Sequence, residues 1–232
     1  MPIDNLDLAP KGWEWGEVQF VPGNPYLDDV MRYVERYHLV IQNGQIETDF
    51  TREFDSDFAL SLDQIFVGDH TLRHRYSYAI PTERALKWMA GIGPIVEVGA
   101  GKGYWALMVS NQSGDVVAYD AIDPRENPKT DREKPWYHVT VADCTVAAEH
   151  PDRTLFLCWP PLDSDMATRA ALAYLSAGGK FIIYIGEGAG GCTASDSFFE
   201  ILDAKMTDIT PADVDVLSWW GVRDHLYFYR AK

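Results

Sequence analysis

The spacing of apolar positions changes character near Pro94. Upstream, NPYLDDVMRYVERYHLV (Asn24 to Val40) places Leu27, Val30, Met31, Val34, Tyr37 and Leu39 near helical spacing after an Asn-Pro start. A second helical stretch is predicted over Arg52 to Val67. A third begins at Thr82, where a Thr cap follows Pro81 and a Gly stop stands at Gly91 or Gly93. The first ninety or so residues therefore read as mainly helical. They form a predicted N-terminal extension or lid over 1–92, before a core over 93–232.

From Pro94 the pattern becomes short apolar runs alternating with amphipathic ones. PIVEVGAG is a strand that meets a glycine turn, and KGYWALMVSNQ continues as a helix. DVVAYDA, WYHVTVAD, TLFLCW and KFIIYIGE read as four further strands. MATRAALAYLSAGG, between the last two, is an amphipathic helix closed by a Gly pair. Near-continuous apolar strands alternating with helices predict an α/β protein with a doubly wound, mostly parallel sheet covered on both faces. At the end, DVDVLSWWGV and HLYFYRA are two strand-like runs about an Arg-Asp turn, which predicts a terminal antiparallel hairpin. No internal repeat or low-complexity tract interrupts the chain.

EVGAGKG, Glu97 to Gly103, lies where a strand passes into a helix. That context gives a G-x-G-x-G turn its meaning: glycines allow a ligand to lie against the backbone, and the helix end offers free N–H groups. Three acids accompany it. Asp120 closes the second strand, where a carboxylate can bond both ribose hydroxyls. Glu97 stands two residues before the first glycine, in reach of a ligand amine or of the loop. Asp143 follows the third strand, placed to accept from an adenine amino group. Each acid alone reads as a solvated strand end; together, in this order, they favour a nucleoside ligand.

VEVGAGKGYWA with VVAYDA resembles motifs I and II of the class I S-adenosylmethionine-dependent methyltransferases. The resemblance covers about Pro94 to Lys232 and implies a Rossmann-like, seven-stranded sheet with S-adenosylmethionine as cofactor. It implies that Glu97, Gly99, Ala100, Gly101 and Gly103, with Tyr104 beside them, hold the methionine part. Asp120 would hold the ribose, and Asp143 and Cys144 the adenine, with Cys158 at the end of the fourth strand. The upstream YSYAIP, with Tyr76, Tyr78 and Pro81, stands where members of the family place a segment that covers the cofactor. The rival on the same architecture is a nicotinamide-dependent dehydrogenase. Its G-x-G-x-x-G fingerprint needs a third glycine for close helix packing, where this chain has bulky Tyr104 and Trp105.

LFLCWPPLDSD, Leu155 to Asp165, occupies the position of the family's active-site loop. Adenine amino-methyltransferases resemble (D/N/S)-P-P-(Y/F/W) there, and the first residue accepts from the target amine. Trp159 offers only an indole N–H donor, and Leu162 cannot stack as an aromatic ring would. Trp159 and Pro160 are instead expected to wall the methyl-transfer site. Glu187, in a second glycine-rich loop, is the expected base, with Asp163 and Asp165 as further candidates and Asp165 also reading as a helix cap.

Charge and composition narrow the acceptor. The formal net charge is −15 and the sequence pI about 4.7, whereas a protein that grips phosphates shows a basic face. A small molecule or a protein side chain is the favoured acceptor. A nucleic-acid amino group, met by a local basic edge at Arg73, Arg75 and Arg84, stays open, as does a catalytically inactive binding or scaffold protein. The three cysteines, Cys144, Cys158 and Cys192, form no CxxC or Cys/His cluster, so no metal site is expected and the thiols read as reduced. The N-terminal residues show no secretory pattern and no apolar run reaches about 18 residues. A cytoplasmic protein is expected.

Overall fold

The computed structural model describes residues 23–36, 39–47, 72–126 and 135–232. In chain order the elements are α1 (Pro25–Arg36), β1 (Val40–Gln42), β2 (Gln45–Glu47), α2 (Leu72–Arg75), α3 (Glu83–Gly91), β3 (Ile95–Val98), α4 (Tyr104–Asn111) and β4 (Val116–Asp120). There follow β5 (Val139–Val141), a 3-10 helix (Cys144–Glu149), β6 (Thr154–Cys158), α5 (Met166–Ser176), β7 (Phe181–Gly186), α6 (Asp196–Lys205), β8 (Met206–Asp208) and β9 (His225–Ala231). The helix predicted over Arg52 to Val67 lies outside the described residues, as does Tyr37.

Seven strands form one sheet in the order β5-β4-β3-β6-β7-β9-β8. The first five of these pair in parallel, and β9 runs antiparallel to both β7 and β8. This is the mostly parallel α/β sheet with an antiparallel end that the sequence predicts. All four residues of β3 are buried, as expected of a strand covered on both faces. Alternation along the strands divides the interior in two. Ile95, Phe156, Ile183 and Ile185 face a core shared with α1, α3 and α4, while Val96, Leu155, Leu157 and Ile182 face one shared with α5 and α6. Helix α4 is buried from Tyr104 to Ser110, as a helix sandwiched between sheet and N-terminal elements must be.

Two expectations change. The partner of β9 within the terminal antiparallel pair is β8, not the run DVDVLSWWGV. That run turns away from the sheet and seals the N-terminal elements. Leu217 N–H donates to Ile80 O, Ile46 N–H to Ser218 O, and the buried Trp219 indole to the Tyr26 hydroxyl at 3.0 Å. Its apolar alternation is real, but the surface it meets lies elsewhere. The described part of the first ninety residues is also less helical than predicted. β1 and β2 form an antiparallel ribbon about Asn43–Gly44, both at positive φ, which is the geometry Asn-Gly hairpin turns favour. The described N-terminal residues Tyr26, Val30, Ile46, Tyr76 and Ile80 share one core with Tyr104 and Trp105.

Gly103 ties the glycine turn to the sheet edge. Its φ is +76°, and a Cβ there would lie 2.8 Å from Tyr137 Cβ and 3.0 Å from Val139 Cγ2. Both the left-handed backbone and the crowding against β5 oppose any side chain. Gly103→Ala is expected to cost about 2–4 kcal/mol of stability, read as a lowered midpoint in thermal or urea unfolding.

Candidate functional site

The parallel strands deliver their C-terminal ends to one edge, and a cavity of about 740 Å³ opens there. A volume of that order suits a small-molecule ligand. Its floor is the glycine turn. Gly99 N–H and Ala100 N–H both donate to Tyr119 O, at 2.8 and 3.0 Å. Asp120 Oδ2 accepts from Gly101 N–H at 2.8 Å, and Oδ1 from Ile122 N–H at 3.0 Å. The end of β4 thus closes the turn at the end of β3 and presents its carboxylate on the cavity wall. A Cβ at Gly99 would lie 2.3 Å from the Met166 methyl, so α5 packs directly onto the turn.

Glu97 lines the cavity at 2% exposure, and its Oε2 has no hydrogen-bond partner among the described residues. Burial pushes its carboxyl up to about 8; the Ala106 amide opposes the shift, and the Asp120 charge adds to it. A buried acceptor without a donor costs stability, so this oxygen marks a place for a cationic or hydrogen-bonding ligand group.

Asp143 also lies on the cavity wall, where it caps the 3-10 helix. Its Oδ1 accepts from Thr145 N–H, the Thr145 hydroxyl and Arg169, while Oδ2, among the described residues, accepts from Arg169 alone at 3.0 Å. Those Thr145 bonds, with Arg169, hold the carboxyl below the ordinary range. Oδ2 therefore keeps the remaining acceptor capacity. Cys144 and Cys158 line the same cavity, and burial first of all pushes both thiols up, Cys158 well above its usual value. Neither is poised as a nucleophile.

Tyr76 reaches the wall but is chiefly structural. Its ring stacks between Tyr26 at 4.9 Å and Trp136 at 5.2 Å, and its hydroxyl donates to Asp29. Tyr78 stacks on Trp159 at 5.1 Å between centroids. Trp159 has a φ of +52°, and its indole donates to Asp224 Oδ1 at 2.7 Å. Pro160 shares the wall, and its carbonyl accepts from Ala194 N–H at 2.8 Å.

Four expected residues stand off the cavity wall. Pro81 gives its carbonyl to the Asn24 side chain. Gly103 packs against Tyr137, and the Tyr104 hydroxyl is buried between Asn24 and Tyr26. Glu187 accepts from Cys192 N–H and Arg223 N–H at 2.7 and 2.9 Å. Burial opposes its ionisation, yet those two amides hold the carboxyl below its ordinary range. So engaged, it is a clamp between two loops, with little left for proton abstraction. Asp163 and Asp165 line the cavity; Asp165 takes the cap position of α5, but Ser164 Oγ receives the Met166 amide.

Three residues on or beside the wall carry no signal in the sequence: Lys102, buried with its ammonium 5.8 Å from the Trp136 ring centroid; Arg169, reaching Asp143 from α5; and Asp224, behind Trp159. Among the described residues, no three His, Cys, Asp or Glu side chains could hold a metal ion, and no helix is long and apolar enough to cross a membrane.

No protein-family model matches the chain, and no curated protein matches it. Solved structures similar to it include an S-adenosylmethionine-dependent methyltransferase from Anabaena variabilis, at 8% identity over 95% of this chain and 100% of that one, with a TM-score of 0.41. Another is magnesium protoporphyrin IX methyltransferase from Synechocystis with bound S-adenosylmethionine, at 7% identity over 63% and 76%, TM-score 0.41. A third, studied for conversion of a disulfide bond into a thioacetal group during echinomycin biosynthesis, has 14% identity over 71% and 87%, TM-score 0.47. The strand order, not these scores, defines the fold.

Glu97 gives the ligand-free protein a pH signature. Its folded-state value of about 8 lies above the ordinary carboxyl value of 4.5, so between them the folded state binds the extra proton. Stability from this group is present below about pH 4.5, falls as pH rises to about 8, and is level beyond. Glu97→Gln, a neutral mimic, is expected to flatten that decline, measured as melting temperature against pH.

Proposed function

We propose that the chain is an S-adenosylmethionine-dependent methyltransferase acting on a small molecule or a protein side chain. The observation that carries this reading is the orphaned Glu97 oxygen on the wall of a cavity whose floor is the Asp120-closed glycine turn. An α-ammonium fits the first, and ribose hydroxyls fit the carboxylate of the second. Asp143 Oδ2 offers an acceptor for an adenine amino group. Bound there, the cofactor supplies an electrophilic methyl on a sulfonium. The chain's own residues orient it, exclude water and align an acceptor, which is most of what such a transfer requires.

The acceptor reading rests on the Pro-Pro loop. An amino group needs acceptors, and this loop offers few: the Trp159 side chain is a donor already engaged by Asp224, and the Pro160 carbonyl holds the Ala194 amide. Of the basic edge, Arg84 is paired with Asp213 at 3.2 Å. The net charge of −15 favours the same choice.

Calorimetry with S-adenosylmethionine, S-adenosylhomocysteine and NAD tests the cofactor. The two adenosyl ligands are expected to bind, with Asp120→Ala weakening both by about 1–3 kcal/mol. Tight NAD binding with no response to S-adenosylhomocysteine would sink the reading. A protein that binds none of the three, with no ligand-induced rise in melting temperature, is a scaffold.

Salt dependence tests the acceptor class. A phosphate-gripping surface weakens steeply with added salt, whereas a pocket for a neutral group responds little. Oligonucleotide binding at physiological ionic strength is expected to be absent. Salt-sensitive binding that is lost when Arg73 and Arg75 become Glu would favour a nucleic-acid acceptor instead.

A further inference from the structure

Asp224 is buried at 3% exposure, yet it is not on the cavity wall. Its amide donates to Ser218 Oγ at 3.0 Å, and that hydroxyl donates to Val222 O. The 218–224 turn therefore holds its backbone in place. Its carboxylate is aimed at one group on the wall, the Trp159 indole N–H, at 2.7 Å. Burial pushes this carboxyl up to about 7, so the short bond is charge-assisted at pH values above that.

Trp159 in turn is over-determined. A left-handed φ is uncommon for a bulky residue and strains the backbone, and Trp159 has one of +52°. Three interactions hold it: the Trp159 amide to Ile185 O at 2.8 Å, the indole to Asp224, and the ring stacked on Tyr78. The stack already accommodates one cation, since the Arg73 guanidinium carbon lies 5.6 Å from the Tyr78 centroid. β3, which carries Glu97, pairs in parallel with β6, which leads into Trp159. Glu97 is in register with Phe156, three residues before Trp159, and Glu97 and Trp159 line the same cavity.

We propose that Asp224 is a specificity-determining residue which, by accepting the Trp159 N–H, fixes and enriches the indole as a face for a cationic ligand centre. The ligand chemistry is a sulfonium, as against the neutral thioether left after methyl transfer. The physical reason is that a cation is drawn to the electron-rich face of an aromatic ring, Trp above all. A carboxylate on the N–H polarises that ring further. The neutral thioether gains nothing from either effect. This inference rests on the cofactor reading above and adds a residue that reading does not need.

The experiment is a double-mutant cycle on binding rather than turnover. Affinities for S-adenosylmethionine and S-adenosylhomocysteine are measured for the unmodified protein, Asp224→Asn, Trp159→Phe and the double variant. Asn keeps an acceptor of the same shape without the charge, and Phe keeps a ring without the N–H. Asp224→Asn is expected to weaken S-adenosylmethionine about three- to tenfold while leaving S-adenosylhomocysteine within about twofold. In the Trp159→Phe background the same substitution is expected to change neither.

A ratio of affinities that Asp224→Asn leaves unchanged overturns the inference while the cofactor reading stands. An equal loss for both ligands assigns Asp224 a structural role only. A selective loss that persists without the indole N–H shows direct charge attraction, and also overturns it. If the unmodified protein binds neither ligand, the cofactor reading fails and takes the inference with it. The folded state of each variant is checked by its melting transition, and the comparison of two ligands on one variant cancels a general loss of stability.

Discussion

The glycine turn after β3 cannot hold its shape alone. Three residues of left-handed φ, Gly99, Gly101 and Gly103, leave amide groups that β3 and α4 do not satisfy. The neighbouring strand satisfies three of them: Tyr119 O takes Gly99 and Ala100, and Asp120 takes Gly101. The turn and the carboxylate beside it are therefore one unit, set by the parallel pairing of β3 with β4. The Lys102 carbonyl then accepts the Trp136 amide, and the Trp136 indole donates to Arg75 O. Through these bonds the turn fixes the segment before β5 and the α2 region, and with them Tyr76 and Tyr78.

Around that unit the protein carries two carboxyl groups in unfavourable places. Burial pushes Glu97 up to about 8 and Asp224 up to about 7, and in Asp224 the Trp159 donor limits the rise while the Glu187 charge adds to it. A sequence selected for stability alone would place apolar groups at both positions. Glu97 instead lines the cavity, and Asp224 is bonded to Trp159, which lines it. Strongly shifted groups gather at functional sites because function needs charge where water is scarce. Glu187, the acid the sequence suggested as base, shows the opposite pattern of amide bonds and a lowered value. Its position reads as architecture.

The sequence made the sheet legible because its signals are local. The Thr82 cap does accept the Ala85 amide, and the five parallel strands and β9 fall within the apolar runs, whereas β1, β2 and β8 do not. The Asn43–Gly44 turn was just as local, yet a helical reading of the surrounding residues obscured it. Helix α6 was missed because SDSFFEILDAK follows a glycine-rich loop, and only Phe198 and Leu202 are buried in it. The run from Asp213 to Val222 failed for a different reason. Alternation reports that one face will be covered, but not by what. Its cover proved to be β2, Tyr26 and Ile80.

The cavity residues divide along the same line. Glu97 and Asp120 are readable because the strand–turn–helix fixes their place within a few residues. Asp224 is not, since 65 residues separate it from Trp159 and only the fold of the 218–224 turn joins them. That pairing changes what the Pro-Pro loop can be. From sequence, Trp159 looks like an acceptor lost from the loop of an amino-methyltransferase. In the folded chain the Trp159 N–H is taken by the Asp224 carboxyl at 2.7 Å. Trp159 lines the cavity with its ring stacked on Tyr78, while Asp224, bonded to its N–H, does not line it. On the methyltransferase reading proposed above, the Trp159 side chain supplies no acceptor for an amine proton. That difference favours an acceptor whose nucleophile needs no proton taken by this loop.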